Sequence, residues 1–181
     1  MIHIMRCDYE LKKYTETVEA TNALLASEKI SDELASEAWL TQAKAALVLG
    51  NADLAKKGFE KTYKIAKNER AAEAKYNLVS MLYESGSYKE AEKAVFDITN
   101  EFSSYDYWLA KSFILLADVY LKLDNAFQAK QTLQSVIDNY EGKELVDLAK
   151  DKLTAINQAE KDAAAKKAEE ALKKENEGLV E

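Results

Sequence analysis

The chain has 181 residues, 48% of them hydrophobic, with no proline and only five glycines, which predicts one nearly all-helical domain with enough apolar residues for a core. A formal net charge of −7 argues against a general nucleic-acid binder, which carries a basic patch. A single cysteine excludes an internal disulfide framework, and no apolar run is long enough to span a membrane.

Residues 1–30 begin inside a helix, with no cationic start leading into an apolar run, so no signal peptide is predicted. Two readings of this start stay open: a fragment of a longer repeat protein, or a naturally short chain with a frayed first helix. Ser31-Asp32-Glu33 caps the next helix, Ser36 to Leu49, which is followed by a second, Asp53 to Ala66. Asn68 to Ala71 is a polar connector. Ala72 to Thr99 then reads as helix, turn, helix. Leu78, Met81, Leu82 and Tyr83 make one stripe and Ala91, Val95 and Ile98 another. Gly86 supplies the positive φ that ends the first helix, and Ser87 with Glu90 forms a capping box for the second. Two helices this short cannot bury their apolar faces alone and need neighbours.

Asn100 to Tyr107 is a loop with Ser103-Ser104 as its cap, leading into the helix that carries Tyr107, Trp108 and Phe113. Asp124-Asn125 replaces the turn glycine, with Asn taking the left-handed conformation. Asn139 to Gly142 closes this pair. From Lys143, Leu145, Leu148, Leu153 and Ile156 share one face, as a helix covering the last apolar surface would. Ala159 to Glu181 holds five Lys against seven Asp and Glu, with Leu172, Leu179 and Val180 as its large apolar residues. It reads as a solvated helical tail or linker, too sparse in apolar residues for heptads.

Few residues suit chemistry. His3 is the only histidine; it and Cys7 are four apart on a helix, with no further ligand or orienting group. No glycine-rich phosphate loop is present. The 32 carboxylates are dispersed among lysines. The expectation is therefore no catalytic residues, no metal and no cofactor. The aromatic group Tyr105, Tyr107, Trp108 and Phe113 reads chiefly as packing between helix pairs, with a partner anchor as the alternative.

A common frame links the pairs. Counted from Ala72, Leu78 is position 7, Val79 is 8, Gly86 is 15, Ala91 is 20 and Val95 is 24. Counted from Ser36, Trp39 is 4, Ala43 is 8, Gly50 is 15, Ala55 is 20 and Phe59 is 24. Counted from Ala110, Phe113 is 4, Leu116 is 7, Ala117 is 8, Tyr120 is 11, Ala129 is 20 and Leu133 is 24. With Tyr14 set at 17, Ile4 falls at 7, Met5 at 8, Tyr9 at 12, Thr17 at 20 and Leu24 at 27. This pattern resembles the tetratricopeptide repeat, a helix-turn-helix unit with a large residue at 4, Leu at 7, small residues at 8 and 20, Tyr at 11 and an aromatic at 24. The units lack its closing proline and start 36 and 38 residues apart.

The resemblance implies an all-α fold, an α-α superhelix (a solenoid) of about four helix pairs plus a C-terminal capping helix. The expected organisation is a repeat domain over 1–158, with units at about 1–33, 36–69, 72–105 and 110–142, a capping helix over 143–158, and the charged tail at 159–181. It also implies an interaction scaffold whose concave groove is lined by first-helix positions. Carried onto this chain, the partner-binding residues are Leu40, Lys44, Leu47, Tyr76, Ser80, Tyr83, Ile114, Asp118 and Leu121. The carboxylate clamp of chaperone-tail binders needs Lys and Asn at positions 5 and 9. Those positions hold Ile2 and Arg6, Leu40 and Lys44, Tyr76 and Ser80, or Ile114 and Asp118, so the clamp is rejected. The stretch Leu109 to Tyr140, with Phe127-Gln128-Ala129-Lys130 and a long charged end, resembles the C-terminal part of larger bacterial repeat proteins, many of them envelope-associated.

The expected function is non-catalytic binding of a peptide or helix of a protein partner, with no nucleic acid and no membrane insertion. Alternatives are a purely structural segment of a longer repeat protein in a cell-envelope assembly, or an enzyme with an unrecognised carboxylate site. The cytoplasm is the default compartment; the periplasm or envelope applies if the parent is exported. Nothing in the sequence fixes an oligomeric state.

Overall fold

The computed structural model describes residues 1–178, and every regular element among them is an α-helix. In order these are α1 (Ile2–Glu10), α2 (Tyr14–Leu25), α3 (Asp32–Val48), α4 (Ala52–Ile65), α5 (Glu69–Glu84), α6 (Tyr88–Glu101), α7 (Asp106–Lys122), α8 (Ala126–Asn139) and α9 (Lys143–Gly178). Packing divides the chain into two compact units, Met1–Ser112 and Phe113–Glu181, the division falling inside α7. In the first unit each helix packs on its sequence neighbours, and α3 also touches α1 and α5. In the second, α9 packs on α8.

Four left-handed residues make the turns within the pairs: Lys12 (φ 58°), Gly50 (74°), Gly86 (80°) and Asp124 (56°). All four sit at position 15 of the repeat frame. Each closes the same pattern of two backbone bonds. Asn51 N–H donates to the Ala46 carbonyl (2.8 Å) and Gly50 N–H to that of Leu47 (3.0 Å). The equivalent bonds at Lys12, Gly86 and Asp124 satisfy carbonyls that the helix end leaves open.

Several local expectations change. The left-handed residue of the last turn is Asp124, not Asn125. Asn125 instead caps α8, its side chain accepting from Gln128 N–H at 3.2 Å. Ser87 stands at the N-cap of α6, but its side chain makes no cap bond; its hydroxyl accepts from Ser85 at 3.3 Å. The turn at Gly86 sets that entry instead. Ser103 and Ser104 lie in the turn before α7, which begins at Asp106. Ser31 does cap α3, accepting from Leu34 N–H at 3.3 Å. On α9 the buried residues are Leu145, Ala149 and Ile156, whereas Leu148 is exposed, because 145, 149 and 156 keep a common face better than 148 does. The stretch read as tail continues α9 without a break and is exposed from Asn157 to Ala171. Leu179 and Val180 lie outside the described residues.

The first unit's core is built on small residues. Ala43, Ala46, Ala55 and Ala74 are fully buried around Phe59 and Leu40. At the α3–α4 crossing, a Cβ on Gly58 would lie 2.8 Å from Ala43 Cβ and 2.9 Å from the Trp39 carbonyl oxygen. One position breaks the apolar rule. Gln42, at position 7, is fully buried between α2 and α3. Its Nε2 donates to Thr21 Oγ1 (2.9 Å) and Asn22 Oδ1 (2.8 Å), while its Oε1 has no partner. Farther along, Tyr63 on α4 donates to Glu101 Oε2 on α6 at 2.6 Å. That bond to a carboxylate, with burial and the charge of Glu101, pushes the Tyr63 pKa up to about 12.

Three outcomes follow. Gly58→Ala lowers stability by about 1–3 kcal/mol through overpacking, although alanine is the better helix former; an unchanged or higher urea midpoint would refute the close crossing. Gln42→Leu raises stability by about 1–2 kcal/mol, since it removes an unpaired buried acceptor while Thr21 keeps its bond to the Val18 carbonyl. A fall in the urea midpoint would count against it. Because the folded state holds Tyr63 protonated above its usual range, its contribution to stability is complete below pH 10 and lost as pH rises through about 12. Absorbance titration should find Tyr63 among the late-titrating tyrosines, and Glu101→Gln should return it toward the ordinary range.

Candidate functional site

The exposed side of the first helices in the first unit carries a ladder of charges. Arg6 on α1 grips Glu37 on α3 with two bonds, 2.5 Å from Nε and 2.8 Å from Nη2. Arg70 on α5 approaches the same carboxylate at 3.8 Å and donates to Glu33 at 2.5 Å. The hydrogen bond from Arg6 holds the Glu37 carboxyl below its ordinary pKa. One rung along, Lys44 on α3 meets Glu73 on α5 at 2.9 Å and lies 5.5 Å from the Tyr9 ring. Burial alone would lower the Lys44 pKa, but the bond and charge of Glu73 outweigh it and raise it. In both rungs a cation at frame position 9 reaches a glutamate at position 2 of the next unit.

At the third rung the chemistry changes to aromatic. Tyr76 on α5 stacks at a tilt 5.5 Å from Trp108, whose indole N–H donates to Glu69 at 3.0 Å. Lys111 Nζ sits 4.9 Å from the Tyr76 ring centre and 5.0 Å from that of Trp108. Trp108 is buried, so its main role is packing against α5.

The sequence-derived partner residues therefore fall into different settings. Leu40 is buried in the first unit's core beside Phe59 and Ala74, and Ile114 is buried in the second. Lys44 is tied to Glu73. Tyr76 is half-buried against Trp108, and Tyr83 lies 5.6 Å from Tyr88 at the hairpin end. Ser80 is half-buried and Leu47 exposed.

In the second unit, Asp118 and Leu121 are brought together with α9. They line an open groove of about 530 Å³. Its other wall is Lys152, Ala155, Ile156, Ala159, Glu160 and Ala163, with Ala126 at one end. Lys152 bridges to both oxygens of Asp118 (2.7 and 2.9 Å), and Lys130 to both of Glu160 (2.7 and 2.9 Å), so the charges at the groove are neutralised internally. The α9 wall was not legible as a site, because alanines four apart look like ordinary helix formers. Among the described residues no group of three His, Cys, Asp or Glu side chains converges as a metal site, and no helix is long and apolar enough to cross a membrane.

No protein-family model matches the sequence, and a search of curated proteins finds no match. Solved structures do match. A crystal structure of MamA is 19% identical with a TM-score of 0.61, covering 90% of this chain and 97% of that one. A second MamA structure gives 18% and 0.61, covering 91% and 92%. YrrB, described as a TPR protein with an unusual peptide-binding site, gives 18% and 0.61, covering 81% and 71%. With four helix pairs followed by a long final helix among its described residues, this chain has the tetratricopeptide-repeat fold.

Proposed function

We propose that the chain is a non-catalytic interaction scaffold and that it takes a helix or peptide of a protein partner in the α7–α9 groove. The observation that carries this reading is the groove itself. Its floor is apolar, its charges are already paired, and alanines on α9 let a second backbone come close. Asp118 and Leu121 contact the partner, and Ile114 supports them from within the core. The repeat domain at 1–158 thereby borrows Ala159, Glu160 and Ala163 from the 159–181 tail. On the first unit, Leu47, Ser80, Tyr83, Tyr76 and Lys44 form a secondary, more polar contact face above buried Leu40. The peptide-binding site described for YrrB supports a peptide as the class of ligand.

Affinity capture from the source cells, run side by side with Ala159→Trp, tests this. Ala159 is exposed, so the indole fills the groove without touching the core. The expected result is a retained protein whose recovery falls about tenfold or more with the variant, as for blocking a buried anchor site. Equal recovery by both proteins rejects the groove.

A further inference from the structure

A separate groove lies on α1 and α2, with no residue of α3 in its lining. Met5 of α1 points into the cluster with Leu24 and Ala38 that joins α1, α2 and α3. Its neighbour Ile4, about 100° round the helix, is 57% exposed, with Met1 at 63% and Leu11 at 66%. Residues 1, 4 and 11 fall on one helical face. Met1 and Ile4, with Ala20 and Ala23 of α2, form the apolar part of a groove of about 300 Å³. The polar part is three carboxylates, Asp8, Glu16 and Glu19. Among the described residues none of the three has a side-chain hydrogen-bond or ion-pair partner, in contrast to Glu33, Glu37 and Glu73 on the ladder. Lys12 and Lys13, at the turn, lie outside the groove lining.

We propose that this groove binds a basic amphipathic helix of a partner protein, with apolar residues seated on Ile4, Ala20 and Ala23 and Lys or Arg facing Asp8, Glu16 and Glu19. Charge complementarity commits the occupant to this class. An apolar strip alone accepts any hydrophobic helix, but three unpaired carboxylates beside it repel acidic ones and draw basic ones. The fold also supplies a precedent, since α3 already packs as a helix on this same pair, touching both α1 and α2.

The probe is a synthetic peptide of roughly 18 residues with leucines at i, i+3, i+4 and i+7 and flanking lysines, together with its glutamate-for-lysine twin. Binding is read by fluorescence anisotropy at two salt concentrations. The lysine peptide should bind and the twin should not. Glu16→Gln with Glu19→Gln should weaken binding about tenfold and flatten its salt dependence, and Ile4→Ser should weaken it at both salts. Ala159→Trp should leave it unchanged, which separates this surface from the α7–α9 groove; each can fail while the other stands. The proposal is overturned if the lysine peptide does not bind, if the twin binds equally, if the double variant binds as tightly as the parent, or if Ala159→Trp abolishes binding. It is also overturned if sedimentation shows a dimer that Ile4→Ser dissolves, since the groove then belongs to a second copy.

Discussion

How closely α3 and α4 approach each other governs the arrangement of the first unit. The space under Trp39 and Ala43 is so small that only glycine fits at position 58. α3 can then be covered on nearly every side, by α1, α2, α4 and α5. A helix in that position needs small residues around most of its circumference, and α3 has them in Ala35, Ala38, Ala43, Ala45 and Ala46. The large buried residues of this core are Phe59, which enters from α4, and α3's own Leu40. Backbone proximity here replaces bulky side chains as the source of packing contacts.

With the core built this way, the first helices are left with a wet face, and that face is organised by charge. Pairs such as Arg6–Glu37 and Lys44–Glu73 are open to solvent, which screens them, so each adds little to stability. Their more useful effect is on register. Each joins position 9 of one unit to position 2 of the next, and a slip of one residue along either helix would carry the charged group to another side. The face they cover is consequently occupied by the protein's own groups. The α7–α9 groove differs because its ion pairs stand at the edges and leave an apolar floor.

Much of the fold was legible because its determinants are periodic. Gly50 and Gly86 announce their turns, and the small residues at positions 8 and 20 mark the crossings. Lys12 and Asp124 were harder to read as left-handed, since neither is glycine and both are held there by the bonds around them. Gln42 was silent for another reason. A glutamine at an apolar position looks like degeneracy in the repeat, and its burial depends on Thr21 and Asn22, about twenty residues away. The candidate site was less legible than the fold. Frame position 5 points toward a groove only when the neighbouring first helix leaves it uncovered, and at Leu40 the short side chain of Ala74 lets the core close over it. Position 9 and position 12 of the last pair, Asp118 and Leu121, do reach open surface, but half of the wall facing them is alanine, which has no signature.

Sequential packing has a consequence for motion. In the first unit, helices touch their neighbours in the chain and little else, so cooperativity is passed from one hairpin to the next. Opening is cheap where a helix buries little of itself, as α1 does. α1 has nine residues, and the only one of them buried is Met5. Its amides are therefore expected to exchange with solvent through local opening, at a lower free energy than those of α3, which is enclosed by four helices. Anything held on α1 is held by a segment that opens readily, and its residence time is bounded by how often that helix lets go.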